Sequence, residues 1–454
     1  MATVNVGKLL DEGHWSGYQK LLIAGTALTI ILDGVDNQLL PNALPRLIEE
    51  WQMPRSAFST ALSAGPFGMM IGGAVGGILG DRYGRRTALL WSVISFAALT
   101  LAISYVNSIG ALALLRFFAG VGLGGAMPNA ATLASEYVPR HRRPFAVTLT
   151  IVCIPLGGML AARLAGDIIP SYGWRPLFMA GGAVPIVLAV ILFFVLPESP
   201  HYLAGRRERW PELTTLLRRM GHQVPPDATY ADSDTASTKP HAPLAEIFAP
   251  HLRRDTIALF GSFFFCLMAN YIAILLIPVT FTGSGFGQTA ANRVQENFNL
   301  GGVVGAIGGA LVIQRLGSRT AMLGMTVVAI VVSLGLAGMT LSAPASFTLM
   351  TLMVIGGALL NGVQTTMYAL AAHVYPTKIR GTGVGSAVAF GRVGNVLAPF
   401  VGNFALDRGG TAAYFSSWAL TMGLVFASLA AIGRHIPRTS GVPAQVGVRA
   451  PRVP

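Results

Sequence analysis

Long apolar runs separated by short polar segments dominate the chain. Twelve of them are long enough for a helix of ~20 residues, the length that spans the hydrocarbon core of a bilayer. They cover residues 21–44, 57–80, 87–106, 110–135, 145–168, 174–196, 256–281, 294–313, 320–341, 347–374, 381–405 and 414–432. The ten-residue alternation typical of an outer-membrane barrel does not recur. The pattern predicts an all-α membrane protein with twelve transmembrane helices.

Composition and charge agree with this prediction. The 454 residues are 53% hydrophobic and 11% charged, with a mean hydropathy of +0.59. A net charge of +13 would suggest nucleic-acid binding if the chain were soluble. The positions of the charges distinguish nucleic-acid binding from membrane topology. If the loops alternate sides, 24 of the 32 Lys and Arg residues share the side of the termini, five lie opposite and three lie within runs. The positive-inside rule then places both termini in the cytoplasm, and the charges indicate a lipid bilayer and no nucleic acid as the partner.

A long polar segment divides the chain into two related halves. Residues 77–86 resemble 310–319, and residues 137–143 resemble 374–380, at nearly the same offset, which indicates a duplicated six-helix unit. We therefore predict an N-terminal bundle, a cytoplasmic linker, a C-terminal bundle and a cytoplasmic tail, at residues 1–196, 197–254, 255–435 and 436–454. A short surface helix is expected from Trp210 to Met220.

Two carboxylates, Asp33 and Asp36, interrupt the first apolar run. Ionisable groups at bilayer depth cost ~2.5–3.5 kcal/mol each on insertion scales and usually face a polar interior. Three residues apart, the two share one helix face. By helical rise, Arg116 in the fourth run lies at a similar depth. We interpret one aspartate as the carrier of a coupled proton, while Arg116 pairs with it or receives a substrate carboxylate. The alternative is a permanent structural ion pair.

Several stretches resemble motifs of a known transporter family. They are Asp33-Gly34-Val35-Asp36, Gly77 to Arg86, Arg116 to Asn129, Pro197-Glu198-Ser199-Pro200, Arg380 to Gly385 and Gly391 to Gly394. Together they resemble the aromatic acid:proton symporter family of the major facilitator superfamily, whose members carry hydroxybenzoates, protocatechuate and hydroxyphenylpropionates. The resemblance implies two pseudo-symmetric six-helix bundles. It also implies import of a monocyclic aromatic carboxylate with protons by alternating access, in a bacterial-type inner membrane.

Further polar residues in the runs are candidate substrate contacts. Arg392 lies near the predicted midplane, where its planar guanidinium suits a carboxylate, although a packing role on backbone carbonyls is the alternative. Asn270 and Tyr271 occupy, in the second half, the place of the aspartates in the first. Gln364 and Tyr368 share a face of the tenth run. Such neutral groups suit a ring hydroxyl.

A charged cluster at the predicted cytoplasmic ends is a candidate gate. Its members are Asp81, Arg82, Arg85, Arg86, Glu136, Arg140 and Arg142. We expect Asp81 to cap a neighbouring helix or to pair with Arg140, Arg142 or Arg143. Charges that only set membrane topology are the alternative interpretation.

Chemistry of other kinds finds little support in the sequence. Cys153 and Cys266 lie far apart in apolar runs and suggest neither a metal site nor a disulfide. Walker, metalloprotease and nucleophile-elbow motifs do not occur. We therefore expect a monomer that is not an enzyme and needs no cofactor or metal. The open alternatives are a proton-coupled exporter of drugs or other organic solutes, and a sensor that binds aromatic acids without transport.

Overall fold

The computed structural model describes residues 3–225, 228–231, 244–376 and 378–438. Fourteen α-helices and two short strands occur in these residues. In order they are β1 (Thr3–Asn5), α1 (Val6–Asp11), α2 (Gly17–Trp51), α3 (Ser59–Tyr83), α4 (Arg85–Ile103), α5 (Ile109–Glu136), α6 (Arg143–Tyr172), α7 (Arg175–Val195), α8 (Pro200–Ala204), α9 (Trp210–Arg219), β2 (Thr229–Ala231), α10 (Arg253–Gly283), α11 (Gln288–Leu316), α12 (Ser318–Ala337), α13 (Phe347–Val374) and α14 (Arg380–Ala431). Short 3₁₀ turns occupy Arg55–Phe58, Arg140–Arg142, Arg207–Arg209 and Leu244–Phe248.

Eleven helices of the described residues are long and apolar enough to cross a membrane. One of them, α14, has 52 residues and is broken at Gly409 and Gly410. Gly410 has φ +59°, a left-handed conformation that favours glycine, so α14 consists of two arms, residues 380–408 and 411–431. The described helices therefore supply twelve segments of sufficient length to cross a membrane, and the predicted all-α membrane fold is confirmed. The helix predicted near Trp210 is present as α9.

The helices pack as two bundles, α2 to α7 and α10 to α14, and glycines bring neighbouring backbones into contact. A Cβ at Gly72 of α3 would lie 2.0 Å from the carbonyl oxygen of Val121 on α5. In the second bundle, a Cβ at Gly301 of α11 would lie 1.9 Å from the carbonyl oxygen of Val354 on α13. In lipid the hydrophobic effect does not drive helices together, so association depends on close packing, which small residues allow. Neighbouring helices within each bundle are thereby closely packed.

The loops next to the inter-bundle segment, which we call the linker side, carry a small extramembrane unit. The strand β1 pairs in parallel with β2, joining Thr3 to Thr229 in register. The helix α1 buries Val6 and Leu10 in the same apolar cluster as α8 and α9. Asp11 forms an ion pair of 2.8 Å with Arg143 at the start of α6. Residues 3–11 and the first part of the linker are thus attached to the first bundle.

Hydrogen bonds join the two bundles at mid-depth and towards the other end, which we call the distal side. Asn299 Nδ2 and Gln295 Nε2 of α11 each donate to Gln38 Oε1 of α2 over 2.8 Å. Gln288 Nε2 donates to the Asn42 carbonyl oxygen over 2.8 Å. At the rim, Arg55 forms an ion pair of 2.5 Å with Asp407. These contacts hold the distal ends of the bundles together.

Two predicted regions lie largely outside the described residues. They are the Pro/Ser/Thr-rich part of the linker, of which 226–227 and 232–243 are not described, and the C-terminal tail after residue 438. The exact domain boundaries at 196, 254 and 435 stay predictions.

Candidate functional site

A cavity of about 110 Å³ lies between the bundles. Helices α2, α3, α5 and α6 form one wall, and α10, α11, α13 and α14 form the other. Among the described residues that line it, Asp33 carries the one carboxyl group and Arg392 the one guanidinium. Uncharged amides, two tyrosines and apolar side chains make up the rest of the lining. The cavity therefore presents one acid and one base within a mostly neutral enclosure.

The two aspartates of α2 have different surroundings. Asp33 lines the cavity, whereas Asp36 lies within the first bundle and is 0% exposed. Arg116 of α5 donates from Nη1 to Asp36 Oδ2 over 3.0 Å, and the Thr100 hydroxyl of α4 donates to Asp36 Oδ1. Arg116 is outside the cavity lining and 4% exposed. Of the three charges predicted to share a depth, Asp36 and Arg116 form a buried ion pair, and Asp33 alone lines the cavity.

Close packing of α2 against α6 fixes this division. A Cβ at Gly34 would lie 2.4 Å from the Ile154 carbonyl oxygen, and a Cβ at Gly157 would lie 2.1 Å from the Ile31 carbonyl oxygen. Such contact leaves α2 little freedom to rotate. Asp33 consequently faces the cavity, while Asp36 faces α4 and α5.

The neutral candidates Asn270, Tyr271, Gln364 and Tyr368 all line the cavity. Asn270 Nδ2 donates to Gln364 Oε1 over 2.6 Å. Asn37 Nδ2 of the first bundle donates to the Tyr271 hydroxyl over 3.2 Å. The Tyr368 ring packs edge-on against Phe263 with centroids 5.4 Å apart. These residues are therefore brought together at one wall of the cavity.

Arg392 of α14 extends across the cavity to the first bundle. Its Nη1 donates to the Met69 carbonyl oxygen of α3 over 2.5 Å. The guanidinium lies beside Gly73, where a Cβ would come within 2.8 Å of Nη1. Gly73 has no side chain, and its absence leaves the space that the Arg392 guanidinium occupies.

Comparisons with known proteins agree with this architecture. The sequence matches the family model of the Major Facilitator Superfamily over residues 26–348 and 297–454. The chain belongs to the Major Facilitator Superfamily. It is 31% identical to the 4-hydroxybenzoate transporter PcaK of Pseudomonas putida, with 95% of each chain covered. It is 30% identical to the gallate transporter of the same species, with 90% of each covered.

A solved structure with this fold is the xylose transporter of E. coli in a partially occluded inward-open conformation. It superposes with a TM-score of 0.72 at 15% identity, covering 92% of this chain and 99% of that one. The predicted superfamily and two-bundle fold are confirmed. This member of the superfamily is a membrane transport protein and not an enzyme.

The candidate gate residues of this superfamily member lie at the linker side, away from the cavity. Asp81 forms an ion pair with Arg85 one turn along the chain. Arg86 donates its backbone N–H to Glu198 Oε1 over 2.9 Å, and Glu136 accepts from the Ser199 hydroxyl.

The remaining gate candidates have other neighbours. The Arg82 carbonyl oxygen accepts from Arg206 Nη2 over 2.6 Å. Arg142 lies over the Trp15 ring at 5.2 Å, and Arg140 is exposed. Arg143, a predicted partner of Asp81, pairs with Asp11 instead.

Sequence reasoning missed a group of carboxamides in the cavity wall. They are Asn37, Gln38, Asn299, Asn361 and Asn395. The available signal was the presence of amide side chains within apolar runs, where each needs a hydrogen-bonding partner or a ligand. No group of three or more His, Cys, Asp or Glu side chains suited to a metal ion occurs in the part of the chain that the structure describes.

Proposed function

We propose that the protein imports a monocyclic aromatic carboxylate together with a proton, with the linker side in the cytoplasm of a bacterial-type cell. The carrying observation is the inter-bundle cavity with Asp33 on one wall and Arg392 on the other. A cavity of about 150 Å³ holds benzene, so at about 110 Å³ this cavity has to widen, by a small separation of the two bundles, to admit even a ligand with a single ring. Relatives named for 4-hydroxybenzoate and gallate support the same substrate class.

Arg392 is the proposed anchor for the substrate carboxylate. Its guanidinium is always charged and offers parallel donors that match the two oxygens of a carboxylate. A carboxylate entering the cavity would replace the Met69 carbonyl oxygen as acceptor. A carboxylate carries a full negative charge and can accept two parallel N–H bonds from a guanidinium, whereas the Met69 carbonyl is uncharged and accepts one, so this exchange favours binding.

Asp33 is the proposed proton carrier, and Asp36 is proposed to stay ionised. Asp36 has a guanidinium and a hydroxyl donor at its two oxygens, an arrangement that compensates a buried charge. Asp33 has no such pair of donors among the described residues. A carboxyl at the cavity wall changes its contact with water when the two bundles rock. It can therefore take up a proton on one side and release it on the other.

Alternating access then needs the two ends of the cavity to open in turn. The amide contacts of Gln38 with Gln295 and Asn299 are the proposed distal gate. The proposed linker-side gate contains Asp81, Arg82, Arg85, Arg86, Glu136, Arg140 and Arg142.

Uptake into proteoliposomes tests the proposal. With an acidic exterior and a neutral interior, labelled 4-hydroxybenzoate is expected to accumulate inside above its external concentration, and faster than in protein-free liposomes, which the neutral acid enters by diffusion. One pH unit supports up to about tenfold accumulation for one proton per substrate, and a protonophore should abolish it. Expulsion of substrate under the same gradient would instead indicate an exporter, and binding without counterflow would indicate a sensor.

A second prediction concerns the position of Arg392. The substitution Gly73→Ala places a methyl group against the guanidinium, which should move away from its present site. If the carboxylate loses one charge-assisted hydrogen bond worth about 1.5 kcal/mol, the Kd should rise about tenfold. The measurement is equilibrium binding of labelled 4-hydroxybenzoate to purified protein.

The matched control is Gly77→Ala, one turn along α3. Nothing lies within 4 Å of a Cβ at Gly77, so its Kd should stay at the wild-type value. Equal Kd values for the two variants would contradict the proposed role of Arg392.

A further inference from the structure

The side-chain amide of Asn395 stands apart from the other amides of the cavity wall. Its side chain is buried, with 6% exposure, and its Oδ1 has no hydrogen-bond partner among the described residues. Asn37, Asn270 and Gln38 lie on the same cavity and have partners in Tyr271, Gln364 and Asn299. A buried amide left without a partner has lost its hydrogen bonds to water without replacement, which is unfavourable. A group that supplies the missing hydrogen bond would offset that loss.

Asn395 lies three residues after Arg392, on the same face of α14. The helix rises about 4.5 Å between them. The neighbouring face is fixed by close packing on α10, since a Cβ at Gly394 would lie 2.3 Å from the Phe264 carbonyl oxygen and one at Gly391 2.7 Å from Leu267 Cδ1. The two polar side chains are thereby held side by side at the cavity wall. One ligand with a ring can contact both.

The chemistry of a carboxamide selects the group that it can bind. An amide has a donor at Nδ2 and an acceptor at Oδ1, and a hydroxyl group both donates and accepts. A hydroxyl can therefore satisfy the amide in either orientation, whereas a carboxylate can only accept. The C–H edge of an unsubstituted ring forms a hydrogen bond with neither Nδ2 nor Oδ1, so the amide would stay without a partner. Sites of this kind discriminate against analogues that lack the hydroxyl.

We propose that Asn395 binds a ring hydroxyl, so that the substrate is a hydroxylated aromatic carboxylate and not an unsubstituted benzoate. The inference rests on the proposed function, because Arg392 must anchor the carboxylate at the same time. A hydroxyl ortho to the carboxylate already donates to that carboxylate within the molecule. The meta and para isomers are consequently the preferred ligands, and Asn395 is a specificity-determining residue.

Binding to the purified full chain in lipid nanodiscs tests this. The ligands are benzoate and its 2-, 3- and 4-hydroxy derivatives. The wild-type protein is expected to bind its better meta or para isomer at least about tenfold more tightly than benzoate, as one recovered hydrogen bond of about 1.4 kcal/mol implies. In Asn395→Leu this ratio should fall to about twofold or less, with benzoate affinity maintained or raised. Asn395→Ala provides a second variant if the leucine variant does not fold.

The matched control is Asn403→Leu on the same helix. Asn403 is also buried with an unpartnered Oδ1, but it lies outside the cavity lining, so the ratio of affinities should keep its wild-type value. An unchanged ratio in both Asn395 variants, or equal wild-type affinity for benzoate and the hydroxybenzoates, would overturn the inference while leaving the proposed function intact. If wild-type protein bound none of the four acids, the proposed function would fail and the inference with it.

Discussion

Replacing Asp33 by asparagine is expected to abolish proton-driven accumulation of substrate. Asparagine has nearly the shape of a protonated aspartic acid, but it can neither release nor take up the proton. The internal substrate concentration should therefore level off at the external one, where the wild-type protein reaches up to about tenfold excess under one pH unit. Exchange of labelled for unlabelled 4-hydroxybenzoate should continue, because that half-cycle needs no change of protonation.

The control for Asp33→Asn is Asp167→Asn. Asp167 is 54% exposed and pairs with Arg163 over 3.3 Å at the distal end of α6, and exposed pairs contribute little. Its accumulation should match the wild-type level. Full accumulation by the Asp33 variant, with a normal response to pH, would show that another group carries the proton.

Replacing Arg116 by methionine is expected to destabilise the protein strongly. The substitution leaves Asp36 buried without its guanidinium partner, and breaking one side of a buried ion pair typically costs about 3–5 kcal/mol. Chemical unfolding of the purified variant in detergent micelles should show a decrease of that order in the free energy of unfolding. Arg163→Met should change the same quantity by less than about 1 kcal/mol, because the Arg163 pair is exposed.

A double variant separates stability from ligand binding. Combining Arg116→Met with Asp36→Asn removes the stranded charge, so most of the lost stability should return. Substrate affinity in this variant should remain within about threefold of wild type, since Arg116 lies outside the cavity lining and a shift of that size is under 1 kcal/mol. If the double variant folds but no longer binds the substrate, Arg116 and not Arg392 would be the residue that binds the substrate carboxylate.

The transmembrane segments could be predicted from the sequence because lipid imposes a simple rule. Backbone groups in hydrocarbon must be paired within a segment, so an apolar run of sufficient length has to be a helix. Even the join between the two arms of α14 was visible as the polar residues between runs. The depth of Asp33, Asp36 and Arg116 also followed from helical rise alone.

The division of labour between Asp33 and Asp36 could not be predicted in this way. Residues three apart on a helix share a broad face, and the rotation of the helix decides which one reaches the cavity. That rotation depends on contact between Gly34 and Gly157, residues of two helices far apart in the sequence. The pairing of β1 with β2 was equally hidden, because a three-residue strand carries almost no periodic signal.

The contact that closes the distal side has a consequence for the conditions in which the protein can work. Its central hydrogen bonds join uncharged amides, Gln38 with Gln295 and Asn299, and the one rim pair described there, Arg55 with Asp407, is partly exposed. Amides do not titrate, and salt screens interactions between charges. In the proposed orientation this end meets the external medium. The strength of the distal contact between the two bundles should therefore remain nearly constant when the pH and ionic strength of the external medium change.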